Sequence, residues 1–240
     1  YIMQLYALDS NNDIIFAGAA QKQHDYRCPE CKKTVRVRGG PQRQHHFFHL
    51  SASPHCSHNN KTLEHLLVQL HIQHLIGKED CSLEVRFPSI SRIADVVWSS
   101  HHLIFEVQCS HISTYEILQR VADYRREGYE VIWILHDARF RRDHLSREET
   151  LLSSLPHYYT NIDASGRGNI YDIFSFVHGG RKIFISEPFS VDLSRPYHLP
   201  PFSSRPPSYV AHRHAELPFS FHGDILWHYA FDRERLSYLF

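Results

Sequence analysis

The stretch from Leu103 to Leu135 narrows the possible folds more than any other part of the chain. Tyr129-Glu-Val-Ile-Trp-Ile-Leu135 is a β-branched, aromatic and aliphatic run of the kind found in a strand covered on both faces. It follows a segment that starts at Ser113 with Glu116 three residues on, the pattern of a helix capping box, and that stops at Glu127-Gly128. Before it, Leu103–Gln108 reads as another strand. A strand, a helix and a strand in this span should give a parallel pair with a right-handed crossover. Further upstream, Cys81–Phe87 and Arg92–Trp98 read as strands, separated by Pro88-Ser89 and by Ser99–His102. Asn59–Ile76 reads as a helix with Leu63, Leu66, Leu67, Leu70 and His74 on one side, closed by Gly77. The order from Asn59 to Leu135 is therefore α-β-β-β-α-β, a mixed α/β (α+β) arrangement.

The N-terminal part carries different chemistry. Ile2–Leu8 and Ile14–Ala17 flank the turn residues 9–13 and predict a hairpin, and Thr34–Arg38 alternates as a half-buried strand does. Between them Cys28-Pro-Glu-Cys31 places two thiols on one tight turn, and His46-Phe-Phe-His49 and Cys56 follow. Soft thiolates together with imidazoles select Zn²⁺ in tetrahedral geometry. Cys28 and Cys31 form one pair. If residues 45–49 are extended, His46 and His49 point to opposite faces, and His49 with Cys56 makes the better second pair. If the chain turns at Phe47-Phe48, His46 competes for the site. A redox C-x-x-C is the other reading, but such a pair normally opens a helix after a strand, and here the following residues are basic and β-like. A segment of this size has little core of its own, which metal binding would offset, and four protein ligands leave no open position for chemistry, so the zinc would be structural. Seven Lys/Arg stand against two Asp/Glu between Lys22 and His49, Lys32, Lys33, Arg36 and Arg38 among them, in a chain of zero net charge. Such a stripe is either a phosphate-binding footprint or a solvated basic face.

Asp95 and Glu106 each interrupt an apolar run on neighbouring strands, where an acid is costly unless it is paired or bound to a cation. Glu106 and Gln108 share a face. Two carboxylates with a flanking polar group suit Mg²⁺ or Mn²⁺, which could activate water against a phosphodiester. The competing reading pairs the acids with Arg92, Arg120 or Arg125.

Taken together, Arg92-Ile-Ala-Asp95, Glu106-Val-Gln-Cys-Ser110, Ile112-Ser113, Arg120, Tyr124 and Ile132-Trp-Ile134 resemble the competence protein CoiA family, as do the upstream Cys-Pro-x-Cys, His-Phe-x-His and Glu64-His65. The resemblance covers roughly residues 24–137. It implies a restriction-endonuclease-like core of the PD-(D/E)XK type behind a zinc-finger-like segment, and a link to DNA uptake and recombination in natural transformation. It also implies metal-ligand roles for Asp95 and Glu106, with Glu64 matching the acid that often completes such sites. Gln108 falls where most of the wider superfamily has Lys; it can orient a water but supplies no charge, which Arg92 or Arg120 would have to provide.

The expected organisation is a zinc-binding β module over 1–58, a nuclease-like core over 59–137 and a C-terminal α/β extension over 138–240 without an assignable motif. Within the extension, Arg139–Leu155 and Asp224–Phe240 predict helices, Ile170–Val177 and Arg181–Ser186 a hairpin turning at Gly179-Gly180, and the Pro-rich residues 195–207 extended chain. No run reaches the roughly 20 apolar residues of a membrane helix. The odd count of five cysteines, without a secretory h-region, argues against a disulfide framework and for the cytoplasm. The expected partner is DNA, single- or double-stranded, with recombination or DNA-uptake proteins beside it. A DNA-binding scaffold that keeps the fold without the chemistry is the alternative to a metal-dependent nuclease, and a zinc-stabilised interaction protein is a third reading.

Overall fold

The computed structural model describes residues 4–29, 31–40, 43–51, 56, 63–142, 144–178, 181–184, 186–199, 205–208, 210–211 and 220–232. Its contacts divide the chain into two compact units, Tyr1–Leu66 and Leu67–Phe240, and the division falls inside a helix.

The first unit is an antiparallel sheet of β1 (Tyr6–Leu8), β2 (Ile14–Phe16), β3 (Tyr26–Arg27), β4 (Thr34–Gly40) and β5 (Arg43–His49), in the order β2-β1-β3-β4-β5. The predicted first strand is shorter than Ile2–Leu8, with residues 1–3 outside the described set. Alternation along β4 buries Val35 and Val37, and the β5 partner of Val37, Phe47, joins them against Tyr26. Arg36 and Arg38 take the opposite face, across from Phe48 and His46.

Helix α1 (Leu63–Ile76) carries the division; residues 59–62 of the predicted helix lie outside the described residues. The side it buries differs from the expected stripe. Leu66, Val68, Gln69 and Ile72 are buried, whereas Leu67 and Leu70 are half-buried and His74 is exposed. Reading only apolar periodicity skips Gln69, a polar residue with no solvent exposure whose amide has partners in the second unit.

That unit holds β6 (Cys81–Phe87), β7 (Arg92–Trp98), β8 (Leu103–Gln108), α2 (Thr114–Arg126), β9 (Glu130–His136), the single turn α3 (Asp137–Phe140), α4 (Arg147–Ser153), β10 (His157–Thr160), β11 (Ile170–Asp172), β12 (Ser175–His178), β13 (Arg181–Phe184), β14 (Phe189–Ser190), β15 (Asp192–Tyr197), β16 (Ser220–His222) and α5 (Ile225–Phe231). Seven strands form its main sheet in the order β14-β11-β10-β9-β8-β7-β6. β6, β7 and β8 form an antiparallel meander, while β8, β9 and β10 run parallel. The α-β-β-β-α-β order and the parallel β8–α2–β9 unit agree with the expected fold class. Ser113 caps α2 by accepting from the Glu116 N–H. Ile117 and Tyr124 of α2 then pack on Val131, Trp133 and Leu135 of β9.

Past Leu135 the sequence reading needs correcting. The single helix expected over 139–155 is two helices, because Ser146 and Glu149 build a capping box that starts a new one at Arg147. His157–Thr160 is a strand that the helix reading did not include. The expected Ile170–Val177 strand is also two: Ile170–Asp172 joins the main sheet, and Ser175–His178 pairs with β13, the turn residues 179–180 lying outside the described set. Residues 192–197 pair with β16. The expected final helix runs over Ile225–Phe231, with 233–240 outside the described residues. Asp224 caps it and accepts four hydrogen bonds: from the amides of Phe221 (2.8 Å) and Trp227 (2.7 Å), from Ser220 Oγ (2.5 Å) and from the Tyr158 hydroxyl of β10 (2.8 Å). Residues 138–240 thus add three strands to the sheet that carries Asp95 and Glu106, and a capped helix tied to it.

Ile132 lies fully buried in β9. Ile132→Ala should lower the stability of the second unit by roughly 2–5 kcal/mol, the range for deleting a buried aliphatic side chain from a strand that cannot collapse around the gap. Urea denaturation followed by tryptophan fluorescence would measure it.

A candidate metal centre and a buried carboxylate row

The first site lies in the N-terminal unit. The Cys28 N–H donates to the Lys33 carbonyl (2.8 Å) and the Lys32 N–H to the Cys28 carbonyl (3.0 Å), with Lys32 in the left-handed region at φ 59°. This closes the turn that brings Cys28 and Cys31 to one side. β5 is extended, so His49, opposite Val35, faces the turn, whereas His46, opposite Arg38, faces away. His46 Nε2 instead accepts from Arg38 Nε (2.9 Å). Cys28, Cys31, His49 and Cys56 bring their donor atoms within 4.8 Å of one another, with Cys28 Sγ 3.6 Å from Cys56 Sγ and Cys31 Sγ 3.1 Å from His49 Nε2. Tetrahedral Zn²⁺, with Zn–S near 2.3 Å, needs sulfur atoms roughly 3.8 Å apart. Three thiols and an imidazole at this spacing could hold zinc, and His49 with Cys56 supplies the second pair. Cys81 lies elsewhere: burial in β6 pushes its thiol up to about 12, so it stays protonated and inert.

The second site lies across β6, β7 and β8. Assigned pairing between β7 and β8 ends at Val96↔Phe105, and one step on Asp95 falls opposite Glu106. Glu84, between the pairs Leu83↔Val96 and Val85↔Ala94, falls opposite Asp95 on the other side. Three acids therefore occupy matching positions on three neighbouring strands, and all are buried, at 7%, 3% and 0% exposure for Glu84, Asp95 and Glu106. Sequence reasoning missed Glu84. In Cys81-Ser-Leu-Glu-Val-Arg-Phe87 it sits at a polar position of a regular alternation, which predicts solvent. Its backbone breaks that alternation at φ 54°, a left-handed conformation that costs a residue with a Cβ on the order of 1–2 kcal/mol.

Each acid has named partners. Asp95 Oδ2 accepts from the Val107 N–H (2.9 Å) and Oδ1 from Gln69 Nε2 (2.9 Å); the same Gln69 nitrogen donates to Glu84 Oε1 (2.7 Å). The Tyr124 hydroxyl donates to Glu106 Oε1 (2.8 Å), and Arg120 Nη1 lies on Oε2. Glu106 beside it drives Arg120 further above its ordinary value, against the pull of burial, and Asp95 adds to the effect. Burial first, then the Glu106 carboxylate, holds the Tyr124 phenol protonated. Arg120 Nε also donates to Glu116 (2.9 Å), which accepts from Arg92 (2.6 Å), and Arg92 reaches Asp123 (2.7 Å). Of the predicted cations, then, Arg120 meets the acids and Arg92 is held by α2, while Arg125 pairs with Glu130 (3.0 Å). Gln108 Nε2 donates to the Ser110 carbonyl (2.6 Å). Glu64 lies half-buried in the first turn of α1, five positions before Gln69; five positions correspond to roughly 140° around a helix, so the two do not share a face.

Oxygen donors suit a hard divalent cation in chemistry. Among the described residues, however, the Cys/His set is the one group of three or more donors close enough to share an ion; the acids of the row are met by Gln69 and Arg120. Nor is any helix of the described residues long and apolar enough to cross a membrane.

Comparison with known families gives two matches. Residues 61–186, more than half of the chain, match the family described as competence protein CoiA, nuclease-like domain, and residues 12–59 match that described as competence protein CoiA, N-terminal domain. No curated protein and no solved structure matches the chain.

Two outcomes follow from these geometries. The purified chain should carry about one zinc per molecule by elemental analysis, and Cys31→Ser or a strong chelator should remove it and lower the melting temperature, since structural zinc contributes on the order of 10 kcal/mol of folding free energy. Arg120→Ala leaves the Glu106 carboxylate buried without its cation. It should destabilise by roughly 3–5 kcal/mol in urea, and by less when combined with Glu106→Gln.

Proposed function

Since the chain belongs to the competence protein CoiA family, we propose that its nuclease-like domain hydrolyses phosphodiester bonds of DNA, with Mg²⁺ or Mn²⁺ held at Asp95 and Glu106. The observation that carries this reading is the row of buried acids on β6, β7 and β8, with a strained backbone at Glu84. A divalent cation there would supply an activated water and neutralise charge on the phosphodiester. The protein's own groups have separable roles. The Val107 N–H and Gln69 fix the rotamer of Asp95, and Tyr124 and Arg120 fix that of Glu106. Gln108, held by Ser110, keeps an acceptor oxygen for a water, and Arg120 supplies the fixed positive charge that Gln108 lacks. Glu64, the further acid of the family resemblance, lies on a different face of α1 from Gln69 and stays outside this set. The basic residues Lys32, Lys33 and Arg38 of the N-terminal unit, and Arg92 and Arg120 near the acids, contact the DNA, while Arg36 of the same stripe is paired with Asp25. The setting is DNA uptake or recombination, with proteins of those processes as partners, and cysteines gathered at a zinc site fit the reducing cytoplasm.

One observation favours a second reading, a DNA-binding scaffold without hydrolysis. The Arg120 guanidinium already sits on Glu106, so Glu106 has a counter-ion without any metal.

The two readings part in one assay. The purified chain is incubated with single- and double-stranded DNA in Mg²⁺ or Mn²⁺. Asp95→Asn and Glu106→Gln should each lower cleavage roughly 100-fold or more, the loss expected when several kcal/mol of metal-assisted stabilisation goes, and Glu84→Gln should act in the same direction. Cleavage unchanged in the first two variants, or absent from the parent chain while DNA is still bound, would leave the scaffold.

A further inference from the structure

We propose that the outward face of the N-terminal sheet anchors the phosphate backbone of a nucleic-acid strand through Arg38, a guanidinium oriented by an aromatic ring and an imidazole in place of a carboxylate. The proposal rests on the reading that nucleic acid is the partner, and it separates residues that the sequence groups in one basic stripe.

Alternation along β4 puts both Arg36 and Arg38 on the face opposite Val35 and Val37, but their surroundings differ. Arg36 Nε donates to Asp25 Oδ1 at 2.5 Å, and the two pull each other's titration apart: the hydrogen bond to Arg36 lowers Asp25, and the one to Asp25 raises Arg36. Its charge is cancelled by a neighbour. Arg38 has no carboxylate partner among the described residues. Its guanidinium lies 4.8 Å over the Phe48 ring, and its Nε donates to His46 Nε2 at 2.9 Å. His46 is only 5% exposed, so it is a fixed post, while Arg38 itself is exposed. These two contacts use the face of the guanidinium and its Nε. The Nη1 and Nη2 groups remain, and they form the planar fork that meets a phosphate with two parallel hydrogen bonds. A guanidinium already held in place loses less side-chain entropy on binding an anion than a mobile lysine does.

The backbone supports this placement. The β4–β5 register shifts between Arg38 and Gly40, and a Cβ at Gly39 would lie 2.7 Å from the His45 Cα, so only glycine lets the two strands close together at that irregularity. Such irregularities re-aim the side chains beside them. On the reverse face of β5, His49 belongs to the cysteine cluster. Zinc there would brace from behind the strand whose front carries His46 and Phe48. Lys32 and Lys33 are exposed at the adjoining turn and add to the positive potential. A guanidinium fork on a phosphate reads no base edge, so the contact is to the backbone and indifferent to sequence.

The test uses the full zinc-loaded chain in the Asp95→Asn background, with fluorescein-labelled oligodeoxynucleotides read by anisotropy over a salt series. Arg38→Gln should weaken binding about tenfold and reduce the salt slope by about one, whatever the oligonucleotide sequence. Arg38→Lys should lose most of the same affinity, because a point charge does not restore the fork. Phe48→Leu should weaken binding while zinc content and circular dichroism stay unchanged, and Arg36→Gln should change affinity less than about twofold. Equal losses for Arg36→Gln and Arg38→Gln would replace the anchor by diffuse charge and overturn the proposal. So would full rescue by lysine, or polyglutamate competing as well as DNA. A chain that cleaves DNA through Asp95 yet ignores Arg38→Gln would keep the nuclease reading and discard this one; a chain that binds through Arg38 without cleaving would do the reverse.

Discussion

Glu106 has no solvent exposure and sits in the middle of a seven-stranded sheet, where an ionised carboxylate is tolerated only with a counter-charge and hydrogen bonds. One helix provides both. Arg120 and Tyr124 are four residues apart on α2 and reach the two oxygens of Glu106, and Glu116, four residues earlier, holds Arg120 from its other side. The phase of α2 is set at Ser113, whose side chain takes the Glu116 N–H. Arg92 then ties β7 to the same helix through Glu116 and Asp123. Cap, helix phase, ion pair and buried acid form one dependent chain, so the polar site and the packing of Ile117 and Tyr124 against β9 stand or fall together.

The core was legible in the sequence wherever apolar periodicity and local chemistry agreed. Ser113 with Glu116 marked the start of α2, Gly128 its end, and the run before His136 the central strand. The extended state of residues 45–49 was the one fact needed to choose between His46 and His49, and the pairing of β4 with β5 supplies it. Where the reading failed, two sources of information were in conflict. Gln69 and Glu84 are polar residues that pattern assigns to solvent, yet each is buried because the other, and Asp95, are its partners. Pairings between residues 15 and 26 positions apart leave no periodic trace. The 139–155 stretch failed for a local reason: Ser146 with Glu149 is a start signal lying inside a segment read as continuous, and the brief His157–Thr160 strand hides behind it.

The two units solve the problem of burying polar groups differently. The N-terminal sheet has short strands and a core of few residues, Tyr26, Val35, Val37 and Phe47 among them. A cluster of three thiols and one imidazole at its edge suits a metal that would substitute for missing apolar area. The second unit has a continuous core and can carry the cost of polar residues inside it. Its cysteine on β6 stays a thiol for that reason, since burial without a cation disfavours the thiolate that a metal would need.

The row formed by Glu84, Asp95 and Glu106 also has a charge argument of its own. Cross-strand neighbours lie roughly 5 Å apart, and two ionised carboxylates at that distance repel by about 3 kcal/mol at an effective dielectric of 20. Arg120 offsets part of this repulsion through Glu106. The Gln69 amide bridging Glu84 and Asp95 lowers the repulsion without removing it, since it brings donors but no net charge. The left-handed conformation of Glu84, in a strand whose neighbours on both sides keep regular pairing, turns a carboxylate toward the others at a conformational cost, which the Gln69 amide held between Glu84 and Asp95 offsets in part.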